Sequence, residues 1–217
     1  MIQLDQKQIA EKLAKFVWNF KVGDNIAHNF KTLYFLYKKK EESSDDQKYL
    51  LNKPIIITMV SIIEGIFYDL VCRLDMSTNH FPESIDQDKR EKIKRKIERE
   101  KEWFTRKDFL TDKDEKYKRI KNYKISELIK MFSECELLGD KEHLIYKHLE
   151  EASYLRNRIH IFNWFGNFEI DEDKVFNESR LGKIESLLVE ILSIMEVRYK
   201  RPFQSGQDDV WYSKMIF

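Results

Sequence analysis

Turn-forming residues are scarce along this chain, and their scarcity limits the possible folds more than any other feature. The 217 residues include 6 glycines and 3 prolines, where average usage would supply about 26 of the two together. Sandwiches and barrels of short strands need many such turns, so an all-β fold is disfavoured. The 15 phenylalanines, 10 tyrosines and 4 tryptophans supply enough apolar surface for a large core, which excludes a wholly disordered chain. We predict an all-α protein, an antiparallel bundle of four to six helices.

The most apolar segment, residues 53–74, is predicted to be a core helix of this bundle. It carries two acids, Glu64 and Asp69, and spans too few apolar residues to suggest a membrane helix. Apolar residues at helical spacing predict further helices over residues 86–104, 125–135, 141–160 and 177–200. Residues 105–123 are predicted to form a loop or a short helix.

Three regions are predicted along the chain. Residues 1–49 form a helical extension that ends in a polar linker, Lys38–Lys48. Residues 50–200 form the helical bundle. Residues 201–217 end in an apolar sequence, which predicts that this tail docks on the body.

The composition argues against several classes of site. Two cysteines, Cys72 and Cys135, are too few for a disulfide framework or a cysteine-rich zinc site. No glutamate stands three residues before a histidine, as helical dimetal sites require, and no glycine-rich phosphate loop is present. We therefore expect no metal and no cofactor. No basic and then apolar leader opens the chain, so we expect a cytoplasmic protein with no membrane partner.

Each of the two most apolar helices places one charged residue on the face that should be buried, Arg156 on the helix 141–160 and Glu64 on the helix 53–74. With Ile145 as reference and about 100° per residue, Arg156 lies at about 20° and His160 at about 60°, within the apolar stripe of the helix 141–160. Asn157 falls on the boundary of that stripe, and Arg158 falls on the solvent side.

The helix 53–74 repeats this pattern. With Val60 as reference, Glu64 lies at about 40°, inside the apolar stripe, and Asp69 lies at about 180°, on the outside. Because a buried charge without a partner costs several kcal/mol, we predict that Glu64 pairs with Arg156. Two interpretations of that pair stay open: a core ion pair that fixes helix register, or part of a functional site.

Basic residues are concentrated in one part of the chain. Residues 86–124 contain 16 lysines and arginines and 10 acids. A solvated helix face and a binding surface for a polyanion such as RNA are the two interpretations of this excess.

The stretch Leu155-Arg156-Asn157-Arg158-Ile159-His160-Ile161 resembles the signature of HEPN domains. The family motif is an arginine, often followed by a polar residue, and then a histidine after four to six intervening residues. Ser61-Ile62-Ile63-Glu64-Gly65 is similar to the acid-bearing core helix of several HEPN families. Arg156 and His160 are separated by three residues, one fewer than in the family motif.

The resemblance implies an all-α bundle that cleaves RNA without a metal. His160 would be the general acid or base, Arg156 would stabilise the charge on the phosphate, and Asn157 would orient the phosphate or the histidine. Family members act as homodimers in toxin–antitoxin and antiphage-defence systems, so an antitoxin or other defence-system protein is an expected partner. The cations expected to bind RNA are Arg158, Lys94, Arg95, Lys118 and Arg119. The alternative is a catalytically inactive HEPN-like bundle that serves in dimerisation or partner binding.

Overall fold

The computed structural model describes residues 6–17, 20–76, 81–82, 85–99, 101–107, 114–120, 123–158 and 171–199. Its helices are α1 (Gln6–Phe16), α2 (Phe20–Glu42), α3 (Asn52–Met76), α4 (Gln87–Arg99), α5 (Ile125–Glu134), α6 (Leu144–Asn157), α7 (Glu172–Val175) and α8 (Glu178–Arg198). A 3-10 turn, Lys48–Leu51, precedes α3, and two strands, β1 (Lys101–Lys107) and β2 (Asp114–Ile120), lie between α4 and α5. The predicted all-α class is confirmed, with one two-stranded hairpin added. The predicted tail 201–217 lies outside the described residues.

Helix α3 is the centre of the hydrophobic core. Helices α2, α4, α5, α6 and α8 all contact it. The predicted stripe around Val60 is buried, and so are Ile55 and Ile62 on other sides of the helix. Neighbours cover α3 on most sides, and the partly exposed residues of its middle turns lie along one face: Ile57, Ser61, Glu64, Gly65, Tyr68 and Cys72.

The ends of α3 and α8 coincide, so these two helices run in the same direction. At one end, Lys40 Nζ lies 2.6 Å from Asn52 Oδ1 at the start of α3 and 2.7 Å from Glu178 Oε1 at the start of α8. At the other end, Arg73 Nη1 donates to the carbonyl oxygen of Tyr199 over 3.1 Å. This parallel pair differs from the fully antiparallel arrangement that we predicted.

Helix α2 extends further than the sequence indicated. Residues from Lys38 onward were predicted to be a polar linker, but α2 continues to Glu42. Lysine and glutamate are good helix formers, and the ammonium of Lys40, a residue only 5% exposed, is neutralised by Glu178. The chain before α3 is therefore packed into the same core as the rest, with Leu13 and Phe16 of α1 fully buried.

The segment predicted to be a loop or short helix forms an antiparallel β-hairpin. The charged helix that we predicted over residues 86–104 ends at Arg99, and β1 begins at Lys101. The register sets opposite charges directly across from each other and one aromatic pair between them: Glu102↔Arg119, Arg106↔Glu115, Lys107↔Asp114 and Phe104↔Tyr117. Such cross-strand pairs favour a hairpin, and they are not visible until the register is known.

The segment Lys48–Met76 is also long and apolar enough to cross a membrane by length and composition alone. Its most apolar window has a mean hydropathy of 2.0, and 61% of that window is buried inside the protein. A central core helix has the same two properties.

Candidate functional site

The predicted ion pair between the two apolar helices is present. Arg156, near the end of α6, places Nη2 2.9 Å from Oε2 of Glu64 in the middle of α3. The Arg156 side chain is 34% exposed and that of Glu64 is 21% exposed. The pair therefore lies at the edge of the core, where solvent reaches part of the guanidinium.

Partial burial acts on the acid of this pair. Burial raises the pKa of Glu64 above its usual range, and the charge of Arg156 opposes that rise only in part. Arg156 Nε is buried and donates to no acceptor within the described residues. The guanidinium therefore has an unused hydrogen-bond donor in addition to its ion pair with Glu64. Such a buried donor without an acceptor costs about 1–3 kcal/mol.

Two polar residues that follow Arg156 in the sequence, Asn157 and His160, belong to the predicted site. Asn157 is the last residue of α6 and is exposed. His160, predicted as the general acid or base, lies outside the described residues. The described part of the predicted site is therefore Glu64, Arg156 and Asn157 at one end of α6.

The helical projection placed Arg158 on the solvent side of α6, but in the structure Arg158 does not face solvent. Its side chain is 12% exposed, and Nη2 lies 2.7 Å from Oε1 of Glu172 in α7. Nη1 also donates to the hydroxyl of Tyr154 over 3.2 Å. Glu172, at the start of the short helix α7, reaches this end of α6, and nothing in the sequence pattern placed it there. The predicted solvent-facing position of Arg158 is therefore wrong, and the two arginines of the motif pair with different acids, Glu64 and Glu172.

The predicted position of Asp69 on the outside of its helix is wrong. Its side chain is 1% exposed, and Oδ2 lies 3.6 Å from Nε of Arg73, whose side chain is 2% exposed. The prediction assumed one buried face, whereas α3 is surrounded by other helices. Asp69 and Arg73 belong to the interior and are distant in sequence from the motif of α6.

The cations of the basic segment differ in how far they are neutralised. Arg95 is paired with Glu91 over 2.9 Å and has a side chain 72% exposed. Lys94 is half-buried on α4. In β2, Lys118 stands opposite Trp103 and Arg119 opposite Glu102.

Within the described ranges, no three histidine, cysteine, aspartate or glutamate residues are grouped in a way that suits a metal ion.

The sequence analysis missed the contacts that hold α6 from the other side. Glu172 accepts from Arg158 and also from Lys53 Nζ, at 2.7 Å. Glu172 was part of a connection with no apolar periodicity, so no sequence signal pointed to its role.

Comparison with known proteins gives no relative for this chain. No protein family model matches it, and neither a curated protein nor a solved structure matches it.

Proposed function

We propose that this chain is a metal-independent endoribonuclease of a toxin or antiphage-defence type. The observation that carries the proposal is the state of Arg156. Its guanidinium lies 2.9 Å from the carboxylate of Glu64, and the Arg156 side chain is still 34% exposed. Asn157 follows it directly and His160 follows four residues later. A partly exposed cation that is followed one helical turn later in the sequence by a histidine, which exchanges protons near neutral pH, suits the cleavage of a phosphodiester.

The reaction uses the 2′-hydroxyl of the RNA as the nucleophile. His160 takes the proton of this hydroxyl, and the 2′-oxygen forms a bond to the adjacent phosphorus. The bond between phosphorus and the 5′-oxygen breaks, and the 5′-oxygen receives a proton. The products carry a 2′,3′-cyclic phosphate and a 5′-hydroxyl, with no cofactor required.

Arg156 stabilises the extra negative charge on the phosphate as the new bond forms. A guanidinium has five donors, so one edge is held by Glu64 while others remain for phosphate oxygens. Asn157, exposed at the end of the helix, orients the phosphate. Arg158 supports this end of α6 through Glu172, which replaces its expected role as an RNA contact.

The partners follow from the same chemistry. Lys94 and Arg95 on α4 and Lys118 and Arg119 on β2 contribute positive charge for the RNA backbone. Two copies of the chain form a homodimer in which two motifs share one cleft, and a protein partner of antitoxin type restrains the activity in the cytoplasm.

The alternative function is that of an inactive module for dimerisation or partner binding. Two observations favour it. The carboxylate of Glu64 is close enough to compensate much of the charge of Arg156, and the spacing between Arg156 and His160 is one residue shorter than in the HEPN motif.

The test is cleavage of single-stranded RNA by the full chain in EDTA. We expect the wild type to cleave and both Arg156→Ala and His160→Ala to lose about 10²-fold or more, the size of a general acid–base contribution. His148→Ala is the matched control, because His148 is an exposed histidine of α6 outside the motif. Mass spectrometry of the fragments should show 2′,3′-cyclic phosphate ends.

Equal cleavage by wild type and the two motif variants would assign the activity to a contaminant. Absence of cleavage by the wild type, with a dimeric mass in solution, would support the inactive module.

A further inference from the structure

A cleft lies between α6 and α8, on the side of α6 away from Glu64. Its volume is about 520 Å³. On α6, Glu150, Glu151 and Tyr154 lie at least about 120° around the helix from Arg156. The residues that line the cleft are Glu150, Glu151, Tyr154, Leu155, Arg180, Lys183 and Ile184. The cleft is therefore separate from the proposed cleavage site and shares with it only the end of α6.

The two walls of the cleft carry opposite charges. Helix α6 provides the carboxylates of Glu150 and Glu151, and α8 provides the cations of Arg180 and Lys183. Within the part of the chain that the structure describes, no salt bridge joins one wall to the other. The space between the walls keeps these charges apart, so a ligand with both signs of charge would satisfy both walls at once.

The walls and floor of the cleft are held in place by the protein. Arg180 Nη1 donates to the carbonyl oxygen of Val175 over 2.9 Å, and its backbone N–H donates to Oδ1 of Asn177. The floor contains the side chains of Leu155 and Ile184, which are 3% and 4% exposed. A pre-organised cleft loses less entropy when it binds a ligand.

We propose that this cleft binds a peptide segment of a partner protein that carries one basic and one acidic side chain. The basic side chain lies against Glu150 and Glu151, and the acidic one lies against Arg180 and Lys183. The volume falls in the range of about 300–1,000 Å³ typical of ligand sites, and the apolar floor suits the aliphatic part of a peptide. RNA is disfavoured, because its phosphates would be repelled by the two carboxylates.

The test is an NMR titration of the full chain with a defined probe. The probe is a pool of blocked pentapeptides with one lysine and one glutamate at all pairs of positions, the rest being alanine and leucine. Two matched pools carry two lysines or two glutamates. We expect the mixed pool to shift the backbone amides of Leu155 and Ile184 and the other two pools to shift them much less.

Charge reversal separates specific binding from general attraction. Glu151→Lys and Lys183→Glu each cancel the net charge of one wall, because Glu150 and Arg180 remain, so each should weaken binding of the mixed pool by about fivefold. The double variant cancels the net charge of both walls and should weaken binding further. Lys130→Glu, an exposed reversal on α5, is the control and should leave binding unchanged.

Several results would overturn the proposal. One is a mixed pool that leaves the cleft amides unshifted, and another is equal binding by the wild type and both single reversals. A third is a shift of the same amides by single-stranded RNA but not by peptide, which would assign the cleft to RNA. None of these results depends on RNA cleavage, so the proposed function is tested separately.

Discussion

Arg156 and Glu64 form an ion pair of 2.9 Å between α6 and α3, with both side chains partly exposed. Partial exposure limits the contribution of such a pair to about 1 kcal/mol or less. We expect Glu64→Gln to lower the free energy of unfolding by up to about 1 kcal/mol, and Glu64→Arg to lower it further because two cations would face each other. The swapped variant Glu64→Arg/Arg156→Glu should recover part of the loss.

Urea unfolding of the wild type, Glu64→Arg, Arg156→Glu and the swapped variant measures the coupling between the two side chains. Glu91→Gln is the control, because it breaks an exposed pair within α4 and should change stability by less than about 0.5 kcal/mol. A coupling of zero between Glu64 and Arg156 would show that the pair contributes nothing in solution.

Asp69 and Arg73 form an ion pair within α3, and both side chains are almost fully buried. Arg73 also donates to the carbonyl oxygen of Tyr199, which ties the end of α8 to α3. Arg73→Met leaves the carboxylate of Asp69 buried without this cation, and we expect a loss of about 3–5 kcal/mol. The double variant Asp69→Leu/Arg73→Met should be more stable than Arg73→Met alone. A loss below about 1 kcal/mol in the single variant would mean that water reaches Asp69.

The different fates of Glu64 and Asp69 show what the sequence predicts and what it leaves open. Helical periodicity predicted the Glu64–Arg156 pair, because each side chain interrupts an apolar stripe that the core must cover. The same projection placed Asp69 outside, since it cannot show how many neighbours pack around one helix. Arg158 was misplaced for a related reason: Glu172 comes from a segment without apolar periodicity.

The hairpin was missed for a different physical reason. Lys101–Lys107 contains only two aromatic residues and no long alternation of apolar and polar side chains. The register places residues of opposite charge such as Arg106 and Glu115 at facing positions, and these positions are known only when both strands are aligned. A periodicity search within one segment cannot detect them.

Glu185 and Glu196, both on α8, should give opposite dependences of stability on pH. Burial raises the pKa of Glu185 above its usual 4.5, and the bond from the Tyr37 hydroxyl offsets only part of that rise. Folding therefore favours the protonated form of Glu185, and this contribution is lost as the pH rises through the raised pKa. Hydrogen bonds from Lys12 and Lys15 lower the pKa of Glu196. Its contribution is present above pH 4.5 and is lost as the pH falls.

The measurement is the free energy of unfolding of Glu185→Gln and Glu196→Gln, each relative to the wild type, at several values of pH. The Glu185→Gln variant should gain stability relative to the wild type as the pH rises from about 4 to 7. Over the same range, Glu196→Gln should lose stability relative to the wild type. Parallel curves for the two variants would contradict the assignment of opposite pKa shifts.

Gly65 and Gly182 provide a matched pair of helix-interior glycines, in α3 and α8. A Cβ on Gly182 would meet no atom within 4 Å, whereas one on Gly65 would lie 3.0 Å from Cγ1 of Ile26 in α2. Alanine in a helix interior is more favourable than glycine by about 0.8–1 kcal/mol. We expect Gly182→Ala to raise the free energy of unfolding by up to that amount. The free energy of unfolding of Gly65→Ala should be lower than that of Gly182→Ala by about 1–3 kcal/mol, the usual cost of adding volume to a packed core.

Thermal and urea unfolding of the two alanine variants measures this difference directly. In an Ile26→Ala background, which lacks the facing Cγ1 atom, Gly65→Ala should recover part of the gain in helix propensity. Equal stabilisation by Gly65→Ala and Gly182→Ala would show that α2 does not pack against α3 as closely as this contact requires. Because α3 also carries Glu64, such a result would also weaken the argument that α3 is held rigidly enough to fix Arg156.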